Sequence, residues 1–144
     1  MTDLMRPEDL KKVTSDAEMK KAEEQLQRAK KHEEEQKQLH EMFMAKELPP
    51  NAGERVNNAV RRAAEQGLNK VQVITFPATY CNDHGRRINN NEPDWPTSLE
   101  GYAKKAYDYY DKELRPLGYK LHVEVLDYPG GMPGNIGFSI KWEA

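Results

Sequence analysis

The pattern of hydrophobic and polar positions divides the chain into two segments of different character. Residues 11–47 contain nine Lys or Arg and nine Asp or Glu, with few large apolar side chains. Residues 51–144 contain both tryptophans, all seven tyrosines and most of the Val and Ile. Only the second segment has enough apolar side chains to fold around a core. We therefore predict a charged N-terminal helix over residues 1–47, extended or partly docked, and a compact α/β domain over residues 48–144.

The first segment has the capping sequence and composition of one long helix. Ser15-Asp16-Ala17-Glu18 has the form of a capping box, in which the Ser and Glu side chains bond each other's backbone amides. We predict a helix from about Ser15 to Ala45 or Lys46, after a short helical turn that opens at Pro7. We also expect its last apolar residues, Leu39, Met42 and Phe43, to dock on the second segment.

Apolar residues recur along this helix at heptad spacing, but polar residues interrupt the middle of the stripe. Two interpretations follow. The helix is either solvated and stabilised by ion pairs such as Glu24–Arg28 and Glu33–Lys37, or it binds a protein partner or a second copy of the chain weakly.

The second segment shows helical spacing twice and strand alternation three times. Apolar residues three and four apart predict two helices, and β-branched or alternating runs predict three strands. In chain order these elements are a helix at 51–66, a strand at 71–76, a helix at 99–114 and strands at 119–125 and 136–142. We predict an α+β fold with an α/β-like, two-layer arrangement, in the order α-β-α-β-β.

A strand–helix–strand unit within one sheet usually has parallel strands, whereas a short connection makes the last two strands antiparallel. We therefore predict a three-stranded mixed sheet with both helices on one face and a polar opposite face. The carboxyl ends of the first two strands then meet at one edge, where the loops 77–96 and 129–135 follow. A long loop in a compact domain is often functional. The candidate binding residues at this edge are Cys81, Asn82, Asp83, His84, Arg86, Arg87, Asn89, Trp95, Tyr128, Gly130, Gly131 and Asn135.

Composition and charge exclude several classes of function. The net charge is −2 and basic residues alternate with acidic ones, so we expect no nucleic-acid binding. No apolar run is long enough to span a membrane or serve as a signal peptide. The single cysteine, Cys81, permits no internal disulfide and suits a reducing compartment, so we expect a cytoplasmic protein.

Two chemical interpretations of the long loop are weak. Cys81 and His84 have the residue types of a nucleophile and its base, but their close spacing in sequence is not a specific signal. Cys81, Asp83 and His84 provide only three metal ligands, and no second Cys or His pair lies at suitable spacing. We expect no catalytic residue, no metal and no cofactor.

The arginines and glycines of the edge leave two functions open. Arg86 and Arg87 either bind an anion opposite free amides of loop 129–135, which we call the glycine loop, or brace their own loop through nearby acidic residues. The first hypothesis for the whole chain is a non-enzymatic protein-interaction or regulatory module that recognises a partner or ligand at the edge. The alternative is a small enzyme or ligand-binding domain for an anionic metabolite that uses Asp83, His84, Arg86 and Arg87.

Overall fold

In the computed structural model, which describes residues 3–143, helix α1 spans Pro7–Ala45. The separate turn and the helix start predicted at Ser15 are wrong, because one helix runs from Pro7. Pro7 suits a first helical position, and Glu8 and Asp9 favour the positive end of the helix dipole. No residue of the helix is buried. Neither of the predicted pairs, Glu24–Arg28 and Glu33–Lys37, forms an ion pair in the part of the chain that the structure describes.

The chain divides between Glu41 and Met42 into two compact units. The last turn of α1 therefore belongs to the second unit, where the Phe43 ring lies 4.8 Å from the Tyr80 ring and 5.6 Å from the Phe76 ring. Docking is thus observed for Phe43, whereas Met42 is 67% exposed. These contacts come from residues on the N-terminal side of the boundary predicted after residue 47.

Two further helices carry the second unit. Helix α2, Ala52–Glu65, ends where the amides of Gly67 and Leu68 donate to the carbonyls of Ala64 and Ala63. Gly67 has a φ of 80°, which suits the glycine predicted to end this helix. The other long helix, Gly101–Tyr109, continues as a π-turn over Tyr110–Leu114. A single-turn helix, Arg86–Asn89, lies between these two helices in the chain and is α3. The helix Gly101–Tyr109 is therefore α4.

Three strands form one sheet: β1, Lys70–Pro77; β2, Lys120–Val125; and β3, Asn135–Lys141. The strand order is β1-β3-β2, and β3 pairs antiparallel with both neighbours. The predicted α+β class is confirmed, but the predicted mixed pairing is wrong. β1 and β2 run in the same direction, as expected, yet β3 lies between them, so no parallel pair forms.

The core lies on one face of the sheet, as the alternation predicts. Ile136, Phe138 and Ile140 of β3 are at most 2% exposed, and α2 and α4 pack over that face. β1 carries an irregularity between Gln72 and Ile74, which leaves Val73 without a partner in the register. The opposite face carries polar residues in register across the strands, although the central Ser139 is only 2% exposed there.

Candidate functional site

The two predicted loops meet at one edge of the sheet. Pro77 at the end of β1 pairs with Asn135 at the start of β3. The amide of Ala78 donates to the carbonyl of Gly134 at 2.7 Å, and the Tyr128 hydroxyl donates to Asn89 Oδ1 at 2.7 Å. We call loops 77–96 and 129–135 together the loop edge. The convergence expected from strand direction is therefore observed, even though β1 and β2 are not neighbours in the sheet.

Asp83 fixes the backbone of the long loop. Its carboxylate accepts hydrogen bonds from the amides of Gly85, at 3.0 Å, and Arg87, at 2.9 Å. Its side chain is only 10% exposed. Gly85, with a φ of 83°, is required because a Cβ there would lie 3.0 Å from the Cβ of Ala78. The loop thus folds into turns and the single-turn helix α3.

Arg86 and Arg87 pair with acidic residues of their own loop. Arg86 Nη1 lies 3.3 Å from a Glu92 oxygen. Arg87 contacts both Asp83 and Asp94, each at 3.3 Å. Of the two interpretations of these arginines, the geometry corresponds to bracing, since both guanidinium groups already have carboxylate partners.

Cys81 and His84 lie in different environments. Cys81 is 4% exposed, and burial together with the nearby Asp83 carboxylate raises its thiol pKa to about 11. A thiol of that pKa is protonated at neutral pH and is a poor nucleophile. His84 is exposed and has a φ of 57°. Within residues 3–143, no group of three His, Cys, Asp or Glu side chains is arranged to hold a metal ion.

Most backbone amides of the glycine loop already donate hydrogen bonds. Gly131 and Gly134 donate to the carbonyls of Tyr128 and Asp127. The amide and the side-chain amide of Asn135 both donate to the Asp127 carboxylate, at 2.6 and 3.3 Å. The sequence interpretation that this loop supplies free amides is therefore wrong for these positions. Asp127 was missed, although an Asp just after a strand and before a Pro-Gly turn is a common source of such bonds.

The remaining candidate residues divide between core and surface. Trp95 is half-buried and packs against the core, where its ring lies 5.4 Å from that of Tyr107 and 6.0 Å from that of Phe138. Asn82 is exposed, yet its side-chain amide donates to the carbonyl of Thr97. Gly130 lies in an exposed turn.

Three exposed apolar side chains beside the candidate residues complete the surface of the edge. Leu126 is 42% exposed, Tyr128 52% and Met132 66%. Only Tyr128 was predicted. In the sequence they can be recognised as three large apolar residues in a turn region, where the folding of the core does not require apolar side chains.

Comparison with known proteins adds no relative. No family model, curated protein or solved structure matches the chain. Over the described residues, no helix is both long enough and apolar enough to cross a membrane.

Proposed function

We propose that this protein is a non-enzymatic interaction or regulatory module that recognises a protein partner at the loop edge. The observation that carries the proposal is the exposure of Leu126, Tyr128 and Met132 on a loop whose backbone is fixed by internal hydrogen bonds. Tyrosine and methionine are enriched in protein interfaces. A loop that is already ordered loses less conformational entropy when a partner binds.

Exposed asparagines beside these side chains supply polar recognition. Asn90 and Asn91 are exposed, and Asn91 has a φ of 55°, which holds it on a tight turn. An amide side chain both donates and accepts hydrogen bonds, as the backbone of a partner segment also does. An apolar centre with an amide rim therefore suits a protein segment better than a small charged metabolite.

The alternative is a small enzyme or ligand-binding domain for an anionic metabolite that uses Asp83, His84, Arg86 and Arg87. It has less support, because an anion would have to displace carboxylates from both arginines. Asp83 is also occupied by two backbone amides. Among the described residues, His84 is exposed and has no carboxylate within ion-pair distance.

Helix α1 provides a second contact in this proposal, either with the partner or with a second copy of the chain. Its exposed apolar side chains, including Met19 at 61% and Leu26 at 56%, support that role. The proposed compartment is the cytoplasm, since the chain has one cysteine and that thiol is buried and unpaired with another.

The test is an affinity capture from lysate with three full-length baits: the natural sequence, Tyr128→Ser/Met132→Ser, and Leu117→Ser. Leu117 is 73% exposed and precedes β2, at the end of the sheet opposite the loop edge, so it is a matched control. We expect a protein that the natural and Leu117→Ser baits retain and the double variant loses. The purified partner must then show the same order of affinities. Equal capture by all three baits, at unchanged circular dichroism, would contradict the proposal.

A further inference from the structure

A cavity of about 270 Å³ lies between α2, α4 and the sheet in the second unit. Ile74, Phe138 and Ile140 line it from the sheet, and Tyr110 and Leu114 line it from the π-turn. Phe138 belongs to one buried hydrophobic cluster, whereas Tyr110, Leu114 and Ile140 form the other. Residues of both clusters therefore line the cavity.

Small side chains on the two helices leave this space open. Ala52, Val56 and Ala59 of α2 face the cavity at helical spacing, and Ala106 of α4 faces it from the other helix. Larger side chains at the alanines would fill the space between the two helices and the sheet. Protein interiors are normally close-packed, so an apolar space of this size is a feature that needs an occupant or a reason.

The mouth of the cavity carries a positive charge. Arg55 and Val73 are lining residues that are exposed, so they mark where the cavity opens to solvent. In the described part of the chain, no carboxylate lies within ion-pair distance of Arg55. Tyr109 also lines the cavity, and its hydroxyl lies close to Gly53, where an added Cβ would be 3.3 Å away.

We propose that this cavity binds a small apolar molecule that carries one anionic group. The apolar body lies against Ile74, Phe138 and Ile140, and the anionic group pairs with Arg55 at the mouth. An apolar cavity of about 150 Å³ accommodates benzene, and ligand pockets begin at about 300 Å³. The ligand is therefore the size of a medium-chain fatty acid or a one- or two-ring aromatic acid. This site is separate from the loop edge, so either proposal can fail alone.

The probe is 1-anilinonaphthalene-8-sulfonate, an aromatic sulfonate whose fluorescence rises in apolar surroundings, titrated into the full-length protein. We expect saturable fluorescence that octanoate displaces. Octanol, which has the same chain length without the charge, should displace the probe about threefold less well, since an exposed ion pair contributes only modestly to binding.

Two matched pairs of variants locate the binding. Ala106→Leu fills the cavity and should weaken octanoate binding at least about tenfold, whereas Ala64→Leu, on an exposed position of α2, should not change it. Arg55→Gln should abolish the preference for octanoate over octanol, and Arg62→Gln, exposed on the same helix, should preserve it.

Several results would overturn the proposal. One is the absence of saturable fluorescence; another is unchanged octanoate affinity in Ala106→Leu. Equal affinity for octanol and octanoate in the natural protein would remove the anionic group from the ligand. Loss of the signal in Tyr128→Ser/Met132→Ser would move the probe to the loop edge. If Ala106→Leu fails the circular dichroism check for folding, Ala59→Leu fills the same cavity from α2 and takes its place.

Discussion

Arg87 pairs with two carboxylates, and the structure predicts very different consequences when each is removed. The Asp83 side chain is 10% exposed and also accepts hydrogen bonds from two backbone amides, whereas the Asp94 side chain is 59% exposed. Replacing Asp83 by Ala frees both amides at once. Hydrogen bonds to a charged group contribute about 1.5–3 kcal/mol each, and the lower value applies because water reaches the emptied site. The free energy of unfolding should therefore fall by about 3 kcal/mol for two such bonds.

The matched variant, Asp94→Ala, removes only an exposed ion pair and should cost less than about 1 kcal/mol. The assay is urea unfolding at pH 7 followed by tryptophan fluorescence, since Trp95 and Trp142 both lie in the second unit. With a slope of about 1.5 kcal/mol per molar urea, the Asp83→Ala midpoint should shift by about 2 M. Equal midpoints for the two variants would refute the role given to the backbone bonds of Asp83.

Three further predictions concern the buried thiol, a glycine contact and the long helix. Burial raises the Cys81 pKa from 9.0 to about 11, so iodoacetamide should not modify the folded protein at pH 8. The stability that the protonated thiol contributes should be present below pH 9 and lost as the pH rises towards 11. An equally steep loss of stability in Cys81→Ala would contradict this. Gly85→Ala and Gly131→Ala share the strain of a φ near 80°, but only Gly85 has a close neighbour, so its variant should lose about 1–3 kcal/mol more in urea unfolding, and equal losses would disprove the contact. If α1 associates with a second copy, Met19→Glu/Leu26→Glu should lower the mass measured by sedimentation. The control Gln25→Glu/Gln27→Glu adds the same charge and should not lower it. Identical sedimentation of the natural protein and both variants would remove α1 as the contact.

Alternation and helical spacing located the elements of the second unit well, because burial on one face imposes a regular period on the sequence. Each strand was placed to within one residue at either end. The strand order could not be predicted from the rule for strand–helix–strand units. That rule concerns the relative direction of the two strands more than whether they are neighbours in the sheet. β3 occupies the centre because its apolar face is the most buried and its other face carries only small side chains, Gly137 and Ser139, at the middle positions.

The meeting of the two loops was predicted, but the hydrogen bonds within them were not. Strand direction alone brought loops 77–96 and 129–135 to one edge, and the nearby acidic residues indicated how Arg86 and Arg87 are paired. Hydrogen bonds that depend on the local path of the backbone, such as those of Asp127, could not be derived from spacing. The cavity between α2 and α4 could not be derived either, because it depends on the distance between two helices rather than on any one sequence pattern.

The central position of β3 has a consequence for how the domain assembles. β1 and β2 are both made before β3, yet each forms its hydrogen-bond ladder only with β3. Phe76 and its partner Ile136 are distant in sequence, so this pairing closes a long loop, which slows folding. During synthesis, β1 and β2 therefore present unpaired edges until residues 135–141 emerge, and unpaired edges are sites of aggregation. A chain that ends before Asn135 would contain the β1 and β2 segments without the strand with which each of them pairs.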